Sequence, residues 1–262
     1  MNDAPVIDHK FYHQPSVFKP ENLLREARRQ KGTTGRHIPE VCILDPDGDI
    51  EEYVIAKYNA TPSNAWACYH TRLFEFKYGD LSVGIIGRAV GASFAVLLAE
   101  QLFASGCKLL LSMTSSGQLV QPMEPPYFVL IEKAVRDEGT SYHYLPPSQF
   151  SHLNGELKNK LDQAFDNLEQ RIFTGSTWTT DAPYRETQEA INHYKSIGIH
   201  AVEMEASALY AFAEARNKKV ICFAHVTNQM ASIAGDFEKG EQNGSVDALK
   251  VLFRVIDQIV IG

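Results

Sequence analysis

Through most of this chain, short apolar runs alternate with stretches whose apolar residues recur at helical spacing. That is the pattern of buried strands joined by helices. LSVGIIG (81–87) predicts a buried strand, and ASFAVLLAEQLFASG (92–106) predicts a helix closed by Gly106. KLLLSM (108–113) is a further strand, with TSSGQ following it as a polar cluster. EKAVRDEG (132–139) reads as a strand, SYHYLPPSQF (141–150) as a loop and NGELKNKLDQAFDNLEQ (154–170) as an amphipathic helix. RIFTGSTW (171–178) predicts a strand entering a loop, and APYRETQEAINHYKSIG (182–198) a helix ending at Gly198. IHAVEME (199–205) leads into a helix over 205–217, and KKVICFAHVTN (218–228) is a buried strand. A flexible polar segment (230–245) and a closing helix (246–261) complete the chain.

The part before this regular region is different. Residues 1–40 are polar and form an N-terminal extension with one helix over 20–30, whose Leu23, Leu24 and Ala27 share a face. VCILDPDGDI (41–50) is an apolar strand ending in a turn, and EEYVIAKY (51–58) carries a strand pattern. DPDGD opens like a calcium loop, but no acid stands at its twelfth position, so it reads as a turn. The alternation predicts one domain over 41–262: a three-layer α/β/α fold around a central mixed, mostly parallel sheet. Ligands of such sheets settle at strand ends.

Composition narrows the function classes. With 44% apolar and 22% charged residues, the 262-residue chain can build an ordinary packed core. The net charge of -7 argues against a nucleic-acid groove, though local arginines could still make a pocket for a small anion. No apolar run approaches a membrane span, and the start lacks the basic-then-apolar order of a secretory signal. Cys42, Cys68, Cys107 and Cys222 have no paired spacing and read as buried free thiols. The expectation is a cytoplasmic protein without a metal or organic cofactor.

Four polar clusters follow or end buried strands. Thr114, Ser115, Ser116 and Gly117 could let a backbone approach an anion or a sugar, or could form a plain turn. Glu203, Met204 and Glu205 put two acids beside an apolar helix. They either hold something polar or simply complement the helix dipole. Thr227, Asn228 and Gln229 end the strand of 218–228. Residues 174–187 combine hydroxyls with Trp178, Asp181 and Arg185. They could stack and hydrogen-bond a planar base, or form a helix start with Asp181 as N-cap and Pro183 in the first turn.

In this order the clusters resemble the nucleoside phosphorylase family, in its uridine phosphorylase and hexameric purine nucleoside phosphorylase branch. VEMEASALYAFA (202–213) is the most specific match. SMTSSGQL (112–119), VGASFAVLLAEQL (90–102) and RDEGTSYHYLPPS (136–148) are similar to further family segments. The resemblance runs from Val41 to the C-terminus. It implies cleavage of the N-glycosidic bond of a ribonucleoside, with inorganic phosphate as co-substrate and homo-oligomers (dimers or hexamers). It further implies that Glu205 holds the ribose hydroxyls, with Met204 and Glu203 lining the same pocket and Ser115 binding the nucleophile and sugar. Ser116, Gly117, Trp178 and Arg185 become base contacts. Asn228 stands where purine-cleaving members carry a proton-donating aspartate, which favours a uridine-like substrate.

Two departures concern the acceptor. Ser112 and Gly48 stand where phosphorolytic relatives carry arginines, so Arg88, or next Arg72, is expected to substitute. Otherwise water is the acceptor and the chain a nucleosidase, or it is a nucleoside-binding paralogue without catalysis. His143 and His225 read as structural or pocket-lining, and His13 could reach a neighbouring subunit's site.

Overall fold

The computed structural model describes residues 4–33, 35, 37–230 and 237–262. Helix α1 (Pro20–Lys31) starts on a proline and ends at a left-handed Gly32, and buries Leu24 and Ala27. Strand β1 (Val41–Asp45) is fully buried. It is followed by a helix, α2 (Asp49–Lys57), where the apolar pattern predicts a strand. Gly48 turns the chain at φ 88, and Asp49, Glu51 and Glu52 load the first helical turn with the charge its dipole favours. Ile50 and Val54, four residues apart, then supply the buried face.

Strands β2 (Thr61–Pro62), β3 (Phe74–Tyr78) and β4 (Leu81–Gly87) lead to α3 (Ala92–Ala104). Strand β5 (Leu109–Gln118) does not stop at Met113 but runs through the whole hydroxyl cluster. After β6 (Tyr127–Asp137) and β7 (Phe150–His152) comes α4 (Gly155–Leu161), capped by Asn154 and far shorter than expected. Strand β8 (Ile172–Thr180) also outruns its predicted end. The next helix, α5 (Gln188–Ser196), is capped by Thr187; Asp181 instead accepts the Gly139 amide. Then follow β9 (Ala201–Glu203), α6 (Ala206–Arg216), β10 (Lys219–Asn228) and α7 (Ser245–Ile256).

The sheet is mixed, as expected, with its longest ladders, β5–β10 and β6–β8, parallel. Its order is β10-β6-β8-β9-β5-β1-β4-β3-β2, and β10 pairs with β5 as well. Five strands therefore close into a ring, β1, β4, β3 and β2 extend from it as an open wing, and β7 pairs with β6 outside this order. Helix α3 packs on α6 and α1, while α2 packs on α7. Alternation along β5 separates the two groups. The Thr114 side chain meets Glu205 at the start of α6, while Ser115 lines a small cavity with Ala248 of α7. The sheet thus lies between two helical layers. All four cysteines are buried and free, and no described helix is long and apolar enough to cross a membrane.

Candidate active site

The turn after β4, Thr114 within β5 and the last residues of β8 meet the junction of β9 and α6. Glu205 sits at that junction, 1% exposed, as the first capping position of α6. Its Oε1 accepts the Gly91 amide at 2.6 Å and its Oε2 accepts the Thr114 hydroxyl at 2.9 Å. Gly91 adopts φ 95 and ψ 146, a conformation open to glycine almost alone, and this places its N–H at the carboxylate. Burial, then the charge of Glu203, pushes Glu205 up to about 8.

Glu203 points elsewhere. Its Oε1 accepts the hydroxyls of Thr177 and Thr179, and its Oε2 accepts the amides of Glu205 and Ala206, both at 2.7 Å. Burial raises its proton affinity while these four donors lower it. The side chain expected to line the sugar pocket is thus turned into the protein. Met204, between the two acids, is half-buried.

On the other face of β5, Ser115 donates to Asp47 Oδ1 at 3.0 Å. Lys239 reaches Asp47 Oδ2 at 2.8 Å and Asp49 Oδ2 at 2.6 Å. Burial pulls the Lys239 ammonium down, but its bonds to the two aspartates outweigh that and leave it raised. A cavity of about 20 Å³ beside Ser115 is lined by Asp45, Asp47, Asp49 and His225 among others. Burial pushes Asp45 up to about 7 and His225 down to about 4, so the imidazole is neutral. It stacks on Phe128 with centroids 4.5 Å apart, which agrees with a structural, cavity-lining role.

The base-side residues divide. Asn228 is buried; its Oδ1 accepts the Met230 amide at 2.9 Å and its Nδ2 reaches Thr227 Oγ1 at 3.2 Å. Gly117 lies beneath it, and a side chain there would come within 2.5 Å of Met230 Sδ. Ser116 is buried beside them with no hydrogen-bond partner for its hydroxyl. Trp178, by contrast, is no base platform. Because β8 continues to Thr180, alternation sends Thr177 and Thr179 to Glu203 and Trp178 to the opposite side. There Trp178 is 2% exposed, packs on Tyr194 of α5 and donates to Asp137 at 2.9 Å. Arg185 lies exposed in the short turn Pro183–Arg185 beyond β8.

Neither candidate phosphate arginine faces Ser115. Arg88 bonds Glu51 at 3.2 Å and also pairs with Glu52, with its side chain laid over Gly48. Arg72 is exposed just before β3, and β4 and β1 separate that strand from β5. His13 is exposed, and His143 lies 3.2 Å from Lys10. The segment read as flexible falls partly outside the described residues. Its described part is tied down by Lys239, by the Glu238 amide on Thr227 O at 2.9 Å and by Asn243 on Asp49 at 3.1 Å. Sequence reasoning missed Gly91, Asp47 and Lys239. The glycine-rich turn and the DPDGD turn were visible signals for the first two, but nothing local marks Lys239.

Residues 40–260 match the family model described as the phosphorylase superfamily, and the chain belongs to that family. A guanosine phosphorylase from Halorubrum lacusprofundi is 22% identical over 66% of this chain and 69% of its own length. A uridine phosphorylase from Thermococcus kodakarensis is 24% identical over 67% and 69%. The crystal structure of a purine nucleoside phosphorylase from Toxoplasma gondii in complex with immucillin-H superposes with a TM-score of 0.71. It shares 18% identity over 84% of this chain and 90% of that one. The fold is that of nucleoside phosphorylases. The relatives' names span both purine and pyrimidine nucleosides.

Proposed function

We propose that the chain cleaves the N-glycosidic bond of a ribonucleoside, uridine-like in preference, and transfers the sugar to inorganic phosphate. One observation carries this reading: the buried Glu205 carboxylate, held by the Gly91 amide in the turn after β4 and by the Thr114 hydroxyl within β5. Once ionised, as pH rises through about 8, this acid can accept two vicinal sugar hydroxyls and fix the ribose. As the bond breaks, positive charge develops on the sugar and negative charge on the base. The family resemblance assigns Asn228 to the base, to which its amide can donate on releasing Ser116 O or Thr227 Oγ1, and Ser115 to the acceptor. Met204, Ser116 and Gly117 complete the sugar and base walls. No metal or organic cofactor enters this reading. Assembly into dimers or hexamers and a cytoplasmic location belong to it.

A second reading, hydrolysis, has one observation behind it. The cavity beside Ser115, about 20 Å³, has room for about one water and not for a phosphate, and three aspartates against the single Lys239 line or border it. The test is release of free base from uridine, inosine and adenosine, with phosphate, with arsenate and with neither. Phosphate-dependent release from uridine supports the proposal. Release indifferent to phosphate transfers the case to hydrolysis, and tight binding without turnover rejects both.

A further inference from the structure

A helix begins with backbone N–H groups that have no partner inside it, and the capping residue's own side chain commonly takes one. In α6 the capping residue is Glu205, and its side chain does not do so. Glu203 accepts the amides of Glu205 and Ala206 instead, and the Thr179 hydroxyl accepts the amide of Ser207 at 3.0 Å. The substitution is anchored from behind. Thr177 and Thr179 hold Glu203 from β8, and Glu138 accepts the Ser207 hydroxyl at 2.9 Å.

We infer that Glu203 is a positioning residue: by capping α6 in place of Glu205, it frees the Glu205 carboxylate to face the sugar and fixes its backbone there. This rests on the reading of Glu205 as the ribose acceptor. Two independent features of the geometry support it. Glu203 is 3% exposed with all its bonds inside the protein, so no contact with substrate accounts for an acid at this position. The two carboxylates, two residues apart, also point to different elements, Glu203 into β8 and α6, Glu205 into α3 and β5. The other titratable groups around the pair are Glu138, on the Ser207 hydroxyl, and the Cys222 thiol of β10 and Tyr210 phenol of α6, the last two kept neutral by burial. Burial, and after it the charge of Glu203, raises Glu205, and Glu203→Gln takes that charge away.

Glu203→Ala and Glu203→Gln, with Glu205→Gln beside them, test this through thermal midpoints, kcat and KM for the nucleoside, and the pH profile. Glu203→Ala removes the cap and is expected to lower kcat/KM by ~10-fold or more. Glu203→Gln keeps an oxygen for the two amides and restores most of that loss. By removing the charge, it moves the rise of rate with pH toward lower pH, a change that a merely structural role does not produce. Should Glu203→Ala fail to fold, the Gln variant alone decides through its profile. An unmoved profile in Glu203→Gln, or a folded Glu203→Ala with wild-type kinetics, overturns the inference while Glu205→Gln remains crippled. If Glu205→Gln is itself silent, the ribose reading has failed instead.

Discussion

The Ser115 hydroxyl donates to Asp47 at 3.0 Å, so the residue proposed for the acceptor side is held by a carboxylate. The other oxygen of that carboxylate takes Lys239. A phosphate dianion entering beside Ser115 meets Asp47 first, and at contact distance two like charges repel by several kcal/mol even near a protein surface. Asp47→Asn keeps the shape and removes the charge. In the phosphorolytic reading the KM for phosphate falls, by ~10-fold or about 1.4 kcal/mol. Measured phosphate saturation curves decide; a collapse of turnover instead assigns Asp47 to proton removal from water.

Arg88 supplies a second expectation. The missing family arginines made it the natural phosphate ligand, but its guanidinium is committed to Glu51 and Glu52. Its backbone is also fixed, at φ 62, by the bond from its amide to Asp45 O. Arg88→Ala is therefore expected to leave the KM for phosphate within about twofold of wild type, about 0.4 kcal/mol. A rise of tenfold or more would return Arg88 to the acceptor site.

How much was readable beforehand follows the range of the interactions. The entry into α6 was legible because VEMEASALYAFA carries its motif locally, and the long buried strands announced themselves by composition. Residues 51–58 misled because their apolar positions also suit a strand. The deciding features were the left-handed Gly48 and the acids of the first turn. Trp178 turns on one boundary: with β8 extended to Thr180 it stands inside a strand, on the face opposite Thr177 and Thr179. Glu203 and Glu205 look equivalent in sequence, and only the threonines of β8 tell them apart. Lys239 lies 192 residues from Asp47, and no pattern along the chain encodes that meeting.

Asn228 concerns the base. Its Oδ1 already accepts the Met230 amide, a bond an aspartate can keep. A neutral amide donates a hydrogen bond but cannot deliver a proton to a departing purine. Asn228→Asp is expected to raise kcat/KM for inosine or adenosine relative to uridine, read by competing the substrates in one assay. A wild type that already prefers purines contradicts the uridine-like assignment.

Asp45 links the site to stability. Burial raises its carboxyl to about 7 in the folded protein, against about 4 in an unfolded chain. The folded state thus binds the proton more tightly. This contribution is complete below about 4 and is lost as pH rises through 7. Asp45→Asn removes the titration and can still accept the Glu51 amide that Asp45 holds at 2.9 Å. Denaturant midpoints of the variant should therefore fall less between pH 5 and 8 than those of the wild type. Parallel curves for the two proteins contradict the assignment.

The most direct measurement of the central claim is steady-state release of uracil and ribose 1-phosphate from uridine by wild type and Glu205→Gln, both shown to be folded. The Gln side chain preserves shape but offers one neutral acceptor oxygen where the carboxylate offers two charged ones. The account predicts phosphate-dependent turnover in the wild type and a loss of ~100-fold or more in the variant, about 2.7 kcal/mol of transition-state stabilisation. A folded Glu205→Gln that turns over uridine at the wild-type rate contradicts it.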